Sequence, residues 1–279
     1  MDNTLYHYCS LTTFRNIVEH RSIWLTDILK SNDSFEIVWL FNQYEEFLIR
    51  RCKNEYKAEM SNQLIEFCHF ARDTFTQYVH TYAICLSEKG DDLSQWRGYG
   101  DNGHGIAIGF DKKYFSRSLT NVMSGDTPYI TRISYDAPED LEIFFEKLLS
   151  ELKITLSPDK AGAEMVRRIV KESARFKGPG FEDEAEWRIC LCGPKESEMC
   201  FDDGPFTRGR RYFLNKRDSL VSYYEFIFSN LGEAISQIYI GPKSKVTVDD
   251  VKMFLATNGV RANDPAHPIK VEKSNLSYR

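Results

Sequence analysis

Glu184-Ala185-Glu186-Trp187-Arg188-Ile189-Cys190-Leu191-Cys192 is the most informative stretch of this chain. Apolar and polar residues alternate through it, which predicts a β-strand whose side chains point to opposite faces. One predicted face carries two carboxylates and a guanidinium, and the other would pack on a core. The first face comprises Glu184, Glu186, Arg188 and Cys190, and the second comprises Ala185, Trp187, Ile189 and Leu191.

Two interpretations of the charged face follow from elementary electrostatics. If the face is enclosed, each carboxylate raises the pKa of the other, and paired acids beside Arg188 make a site for general-base catalysis or for stabilising a developing cation. If the face is open to water, the segment is a solvated edge strand in which Arg188 pairs with both Glu184 and Glu186. The sequence leaves both interpretations open.

The bulk composition is that of a globular protein. Hydrophobic residues make up 42% of the 279 residues, charged residues make up 28%, and the net charge of −5 disfavours a surface that binds nucleic acid throughout. No run approaches the ~20 apolar residues of a membrane helix, and Met1–Thr4 lacks the features of a signal peptide. The seven cysteines, an odd number, favour reduced thiols in a cytoplasmic protein.

The order of elements predicts an α+β fold of short mixed and antiparallel strands in a single domain over residues 1–279. Strands are predicted over 5–9, 22–26 and 82–87, and Ser10 is predicted to cap a helix over 11–19. Residues from about 35 to 78 carry apolar positions at helical spacing, which predicts a helical insertion that serves as a lid or subdomain.

Two further segments carry candidate binding residues. His7 lies between Tyr6 and Tyr8 on the first predicted strand, where a satisfied structural histidine is the alternative interpretation. Ser87 ends a buried-type strand. Trp96, Arg97 and Tyr99 follow in a glycine-containing segment that suits either a loop stacking on a flat ligand or a turn packed over the core.

Two other patterns have simple structural explanations. Asp33 and Glu36 have the spacing of a helix capping box. The basic cluster at 208–217 suits either a nucleic-acid contact or a solvated surface. The sequence contains no HExxH, no GxSxG, no phosphate-binding glycine motif and no zinc-type cysteine and histidine spacing, so we expect no metal site.

In combination, the motifs resemble the bacterial family catalogued as "domain of unknown function 2971". The likeness rests on LYHYCS, SIWLTD, AICLSE, SQWRGYG, GHGIAIGF, EAEWRI and IYIGPK, in that order, between about residues 5 and 241. The family typically has Phe-Asn-Asp-Pro-Phe-Glu where this chain has Ser31-Asn32-Asp33-Ser34-Phe35-Glu36. The family name states no activity.

The same order of elements is similar, more distantly, to that of the ADP-ribosyltransferases that use NAD as substrate. That resemblance implies that His7 positions a ribose hydroxyl, that Tyr99 or Trp96 stacks on nicotinamide, and that Ser87 supports the site. It further implies that Glu186 is the catalytic carboxylate and that Glu184 deprotonates the acceptor. Tyr8, beside His7, and Arg97, a candidate phosphate contact, complete the predicted NAD-binding residues.

The resemblance therefore predicts an intracellular bacterial enzyme that transfers ADP-ribose from NAD, or hydrolyses NAD, as a toxin or phage-defence effector. Its acceptor, a protein or a nucleic acid, is left open, as is a partner protein. Two alternatives remain. One is a module that senses a nucleotide or nucleic acid through Arg97, Trp96 and the basic cluster without catalysis. The other is a magnesium-dependent nuclease that uses Asp33, Glu36, Glu184 and Glu186.

Overall fold

The structure is a computed structural model. It describes residues 3–28, 36–55, 69, 79–119, 128–135, 138–155, 168–169, 171–178, 180–194, 212–216 and 219–278. Asp33 and most of the basic cluster at 208–217 lie outside the described residues, as does much of the predicted helical insertion.

Within these residues the chain alternates short strands and helices. The helices are α1 (Leu11–His20), α2 (Glu36–Glu55), α3 (Leu93–Gly98), α4 (Lys112–Leu119), α5 (Pro138–Thr155), α6 (Leu231–Ala234) and α7 (Val248–Thr257). The strands are β1 (Thr4–Cys9), β2 (Ser22–Asp27), β3 (Val79–Ser87), β4 (Ile106–Asp111), β5 (Tyr129–Arg132), β6 (Ser134–Tyr135), β7 (Phe176–Lys177), β8 (Glu186–Pro194), β9 (Tyr212–Lys216), β10 (Ser219–Ile227), β11 (Ile235–Ile240) and β12 (Lys270–Lys273).

The amino-terminal elements form as the sequence predicts. The Ser10 side chain accepts a hydrogen bond from the backbone N–H of Thr13, which caps α1. The apolar stripe of this helix, Phe14, Ile17 and Val18, is buried against the sheet. The helix therefore packs against the sheet at β2 and β4.

The fold is a mixed α/β arrangement built on one ten-stranded sheet. Its strand order is β12-β11-β4-β1-β3-β2-β10-β9, with β8 on β3 and β5 on β8. The pairings are antiparallel apart from β11 with β12. The larger apolar cluster joins the sheet to α1, α4 and α7, and a second one joins it to α2 and α5. Helices thus cover both faces of the sheet.

The sheet divides at β3. A strand has two hydrogen-bonding edges, and β8 occupies one edge of β3 from Val79 to Ser87. The strands β1 and β2 must therefore share the other edge. The first pairs with β3 at Ser87, and the second pairs with it at Tyr82 and Ala83. Ile84, Cys85 and Leu86 lie between these two pairings, and the two halves of the sheet separate there.

The quoted stretch differs from its prediction at the start. The strand β8 begins at Glu186, whereas Glu184 ends a 3-10 turn, Glu182–Glu184. Ala185 separates the two elements with a φ of 44° in the left-handed region, so the predicted strand alternation does not extend to Glu184. The strand is also not a solvated edge, because β3 and β5 pair with it on either side.

The predicted helical insertion is described only in part. The helix α2 spans Glu36–Glu55, and the structure also describes residue 69 of this region. Among the helices that the structure describes, none combines the length and the apolar character that a membrane crossing requires. The expectation of a single domain over residues 1–279 stays a prediction.

Candidate functional site

A cleft of about 830 Å³ opens where the two halves of the sheet separate. This volume lies within the roughly 300–1,000 Å³ that ligand pockets occupy. Residues of α1, β1, β2, β3, β8 and β10 line it, together with the 3-10 turn before β8. The sequence-predicted residues among them are His7, Tyr8, Ser87, Tyr99, Glu184 and Glu186.

Glu186 lies at the centre of a buried charge network in this cleft. Its Oε1 accepts a hydrogen bond from Nε of Arg188 at 2.7 Å, and its Oε2 accepts one from Nη2 at 3.1 Å. Lys177 of β7 places its Nζ 3.3 Å from Glu186 Oε2 and 2.8 Å from Glu184 Oε2. Two carboxylates and two cations therefore balance one another, as buried charges require.

The charges around Glu186 keep its carboxyl group ionised. Burial alone would raise the pKa of Glu186, but the charge and hydrogen bonds of Arg188, followed by the charge of Lys177, outweigh it, and the pKa lies below its usual value. The backbone N–H of Glu186 also donates to the hydroxyl of Tyr135 at 2.8 Å. The carboxylate is thus both anionic and fixed in position.

Glu184 reaches the same cleft from the 3-10 turn. Tyr99 donates its hydroxyl to Glu184 Oε1 at 3.0 Å. Ser87 donates its hydroxyl to the Glu184 carbonyl at 2.7 Å, so Ser87 holds the turn in place. Burial and the neighbouring Glu184 charge raise the pKa of Tyr99, which therefore stays a hydrogen-bond donor. Tyr99 as a whole is 46% exposed, which leaves it accessible for stacking.

His7 lies where β1 leaves β3. Its Nδ1 is 3.2 Å from the carbonyl oxygen of Cys85. Because a carbonyl oxygen only accepts, Nδ1 carries the proton and Nε2 keeps its lone pair. Burial lowers the pKa of His7, and the Cys85 hydrogen bond offsets this only in part. A neutral imidazole with one accepting nitrogen therefore faces the cleft.

The remaining predicted residues divide into two groups. Tyr8 lines the cleft and donates its hydroxyl to the Lys89 carbonyl at 2.8 Å. Trp96 is fully buried in α3, packs edge-on against Tyr8 and donates to Asp91, so the structure does not bring it to the cleft. Arg97 stacks over the ring of Tyr278, and among the described residues it is not one that lines the cleft.

The helix α3 explains this separation. The sequence suggested a loop around Trp96 and Tyr99, but Asp92 caps a helix by accepting from the backbone N–H groups of Ser94 and Gln95. Trp96 is then directed to the core, and Tyr99, just after the helix, is directed to the cleft. The sequence did contain a signal for this helix, because Asp92 stands two and three residues before Ser94 and Gln95, the spacing of a helix N-cap.

Lys177 and Cys85 are among the cleft residues that were not singled out from the sequence. Lys177 is only 4% exposed, and no local signal in the sequence marks it as buried. Cys85 is an exposed thiol in the cleft that forms no disulfide, whereas Cys9 and Cys190 are buried. Strand alternation places Cys85 on the face opposite the core residues Ile84 and Leu86, so this position was open to prediction.

The alternatives based on metals or nucleic acid receive no new support. No group of three or more His, Cys, Asp or Glu residues within the described ranges could hold a metal ion. Asp33 lies outside those ranges, and Glu184 and Glu186 are paired with Lys177 and Arg188. Most side chains of the 208–217 cluster also lie outside the described part of the chain.

Comparison with known proteins finds a match to one family model and no activity. No curated protein and no solved structure matches the chain. The matched segment, residues 95–189, runs from α3 through the first four residues of β8 and so includes Tyr99, Lys177, Glu184 and Glu186. Over those residues the chain matches the family described as "Protein of unknown function (DUF2971)", the family that its motifs resembled.

Proposed function

We propose that the cleft binds NAD and breaks the bond between its nicotinamide ring and the adjoining ribose. The observation that supports this most directly is that His7, Tyr99 and Glu186, which come from distant parts of the chain, line one cleft. These residues supply an imidazole for a ribose hydroxyl, an exposed ring for nicotinamide and a fixed carboxylate for the reacting carbon. The fold would then be ADP-ribosyltransferase-like in its site, and a toxin or defence role would use this activity.

The chemistry follows from the charges. When the bond from ribose C1′ to the nicotinamide nitrogen breaks, its electron pair leaves with neutral nicotinamide and positive charge remains on the ribose. An ionised Glu186 in a partly dry cleft stabilises that charge. A water molecule or an acceptor hydroxyl then forms the new bond to C1′ and gives its proton to Glu184, the more exposed carboxylate.

A second candidate is nucleotide sensing without cleavage. Both oxygens of Glu186 already accept hydrogen bonds from Arg188 or Lys177, and this neutralisation weakens the field that the carboxylate exerts on a substrate. A site of this kind binds NAD and leaves its glycosidic bond intact. Binding and cleavage must therefore be measured separately.

Nicotinamide release from NAD tests the catalytic proposal. We expect release by the wild-type protein and a rate at least about 100-fold lower for Glu186→Gln, because one preorganised electrostatic group contributes roughly that factor. The matched control is Asp183→Asn, which alters a carboxylate of the same turn whose side chain is 98% exposed. Equal release by wild type and Glu186→Gln, with both folded by circular dichroism, contradicts the assignment.

The exposed thiol of Cys85 reports binding independently of cleavage. We expect NAD to slow alkylation of Cys85 by iodoacetamide, measured by peptide mass spectrometry, because this residue lines the cleft. Protection without nicotinamide release in any condition identifies the sensing candidate. Neither protection nor release counts against both.

A further inference from the structure

The sheet register extends the cleft face well beyond Glu186. Glu186 of β8 is opposite Ser87 of β3. Ala83 lies four residues before Ser87 on β3, and it is opposite Thr26 of β2. Thr26 is in turn opposite Tyr223 of β10. Because residues directly opposite one another point to the same face, and residues two apart along a strand do too, one face carries all of these side chains. The same rule adds Trp24 and Glu225, which are opposite each other.

We propose that the part of the cleft formed by Trp24, Tyr223 and Glu225 binds a purine base, which stacks on Trp24 and donates an N–H group to Glu225. The three residues line the same cleft as Glu186. The strands β2 and β10 are two and three strands away from β8, so at 4.7–4.9 Å per strand roughly 9–15 Å across the sheet separates these residues from Glu186. The region is therefore distinct from the nicotinamide end and continuous with it.

The aromatic pair is built to hold a flat ligand. The rings of Trp24 and Tyr223 stack with centroids 4.3 Å apart and planes 28° from parallel. Tyr223 thus supports the indole, and Trp24 as a residue nevertheless remains 39% exposed. A supported, partly exposed indole in a cleft can stack against a base, because every base has a π-face that the indole can cover.

The charge of this region selects the base end of a nucleotide. The carboxylate of Glu225 only accepts hydrogen bonds when ionised, so it suits an N–H donor on the edge of a base. A carboxylate at this position also disfavours a phosphate beside it. Asn16 and His20 of α1 also line the cleft.

This assignment rests on the proposed function in one respect, that the base belongs to the same NAD molecule whose nicotinamide lies near Tyr99. Stacking itself requires no nicotinamide and no cleavage. Adenosine 5′-monophosphate is therefore the probe, with ribose 5-phosphate as the matched compound without a base. Calorimetric titration of the full chain measures both.

We expect adenosine 5′-monophosphate to bind the wild type and ribose 5-phosphate to bind at least about tenfold more weakly. Trp24→Leu should weaken binding of the base-bearing compound by a similar factor, Trp24→Phe should restore part of it, and Glu225→Leu should weaken it as well. The control is Trp187→Leu, because Trp187 carries the same side chain outside the cleft lining. Thermal unfolding of each variant separates lost binding from lost fold.

The outcomes discriminate between the two proposals. No binding of adenosine 5′-monophosphate, or equal binding by wild type and a folded Trp24→Leu, overturns the base site whatever happens to nicotinamide release. Binding that depends on Trp24 without any nicotinamide release supports the base site and removes the catalytic proposal. Nicotinamide release that depends on Glu186 but has an unchanged KM in Trp24→Leu removes the base site alone.

Discussion

Glu186 and Arg188 lie two residues apart on β8, and the side chain of each is at most 5% exposed. An ion taken out of water loses solvation that only close, well-oriented partners replace. The bidentate contact to Arg188 and the bridge from Lys177 supply those partners. Removal of only one of the two charges should therefore destabilise the fold by more than the intact ion pair stabilises it.

Arg188→Met should lower the free energy of unfolding by about 3 kcal/mol or more, because it leaves Glu186 with only part of its compensation. The control Arg132→Met removes an exposed ion pair to Glu88 and should cost no more than about 1 kcal/mol. Urea denaturation measures both.

The double variant Glu186→Leu with Arg188→Met tests the explanation. Since it removes both buried charges together, it should recover more than half of the loss seen in Arg188→Met. A double variant as unstable as the sum of the two single variants would mean that lost packing, rather than an unpaired charge, causes the effect.

His7 predicts a pH dependence of stability. Its pKa in the folded protein lies below the ordinary 6.5, so the unfolded chain takes up a proton first as the pH falls. The contribution of His7 to stability is therefore present above 6.5 and is lost as the pH falls through the folded-state pKa. In His7→Gln this loss is absent, so the stability difference between wild type and variant should shrink from about pH 8 to about pH 5.5.

Urea midpoints at the two pH values measure this effect. The matched control is the same substitution at an exposed histidine, His267→Gln. A difference between wild type and His7→Gln that does not change with pH would show that His7 is not buried in its neutral form.

At the scale of elements, the loop between α3 and β4 fixes the position of Tyr99. Its backbone packs directly against the end of β1, and a Cβ on Gly105 would lie 2.1 Å from the carbonyl oxygen of Cys9. Gly105 also exchanges backbone hydrogen bonds with its surroundings, donating to Gly100 and accepting from Gly241. The atoms that this Cβ would meet belong to the backbone of Cys9 and Gly100 rather than to flexible side chains, so the clash could be relieved only by moving backbone, which costs free energy.

Gly105→Ala should therefore destabilise the fold by about 2–3 kcal/mol, the cost of overpacking against a rigid backbone. The matched control is Gly98→Ala at the end of α3, where an added Cβ meets nothing within 4 Å. This change should leave stability within about 1 kcal/mol of the wild type, on the stabilising side. Chemical denaturation that ranks the two variants in the opposite order would contradict the packing described for this loop.

At the scale of the whole molecule, the site exists because one strand serves two neighbours. The strand β3 pairs with β1 near one end and with β2 further along the same edge, and the cleft lies between them. His7 and Trp24 come from the two separating strands, and Glu186 comes from the strand on the other edge of β3. A sheet with continuous pairing would close this space.

Local patterns alone gave much of the architecture. The strand around His7, the cap at Ser10 and the core face of β8 at Ile189 and Leu191 all follow from side-chain periodicity and from capping chemistry. The burial of Trp96 did not follow in this way, because the helix cap at Asp92 competes with a glycine-containing loop pattern of similar strength.

The sequence by itself determined that the residues around His7 and Ile189 form strands and that Ile189 and Leu191 face a core, since both depend on alternation within a few residues. Only the tertiary structure decided that Lys177 joins Glu184 and Glu186, and that His7 and Tyr99 line the same cleft as these acids. The physical reason is that a period of two residues specifies a face but not a neighbour. Pairing between strands tens of residues apart is selected by the packing of the whole sheet.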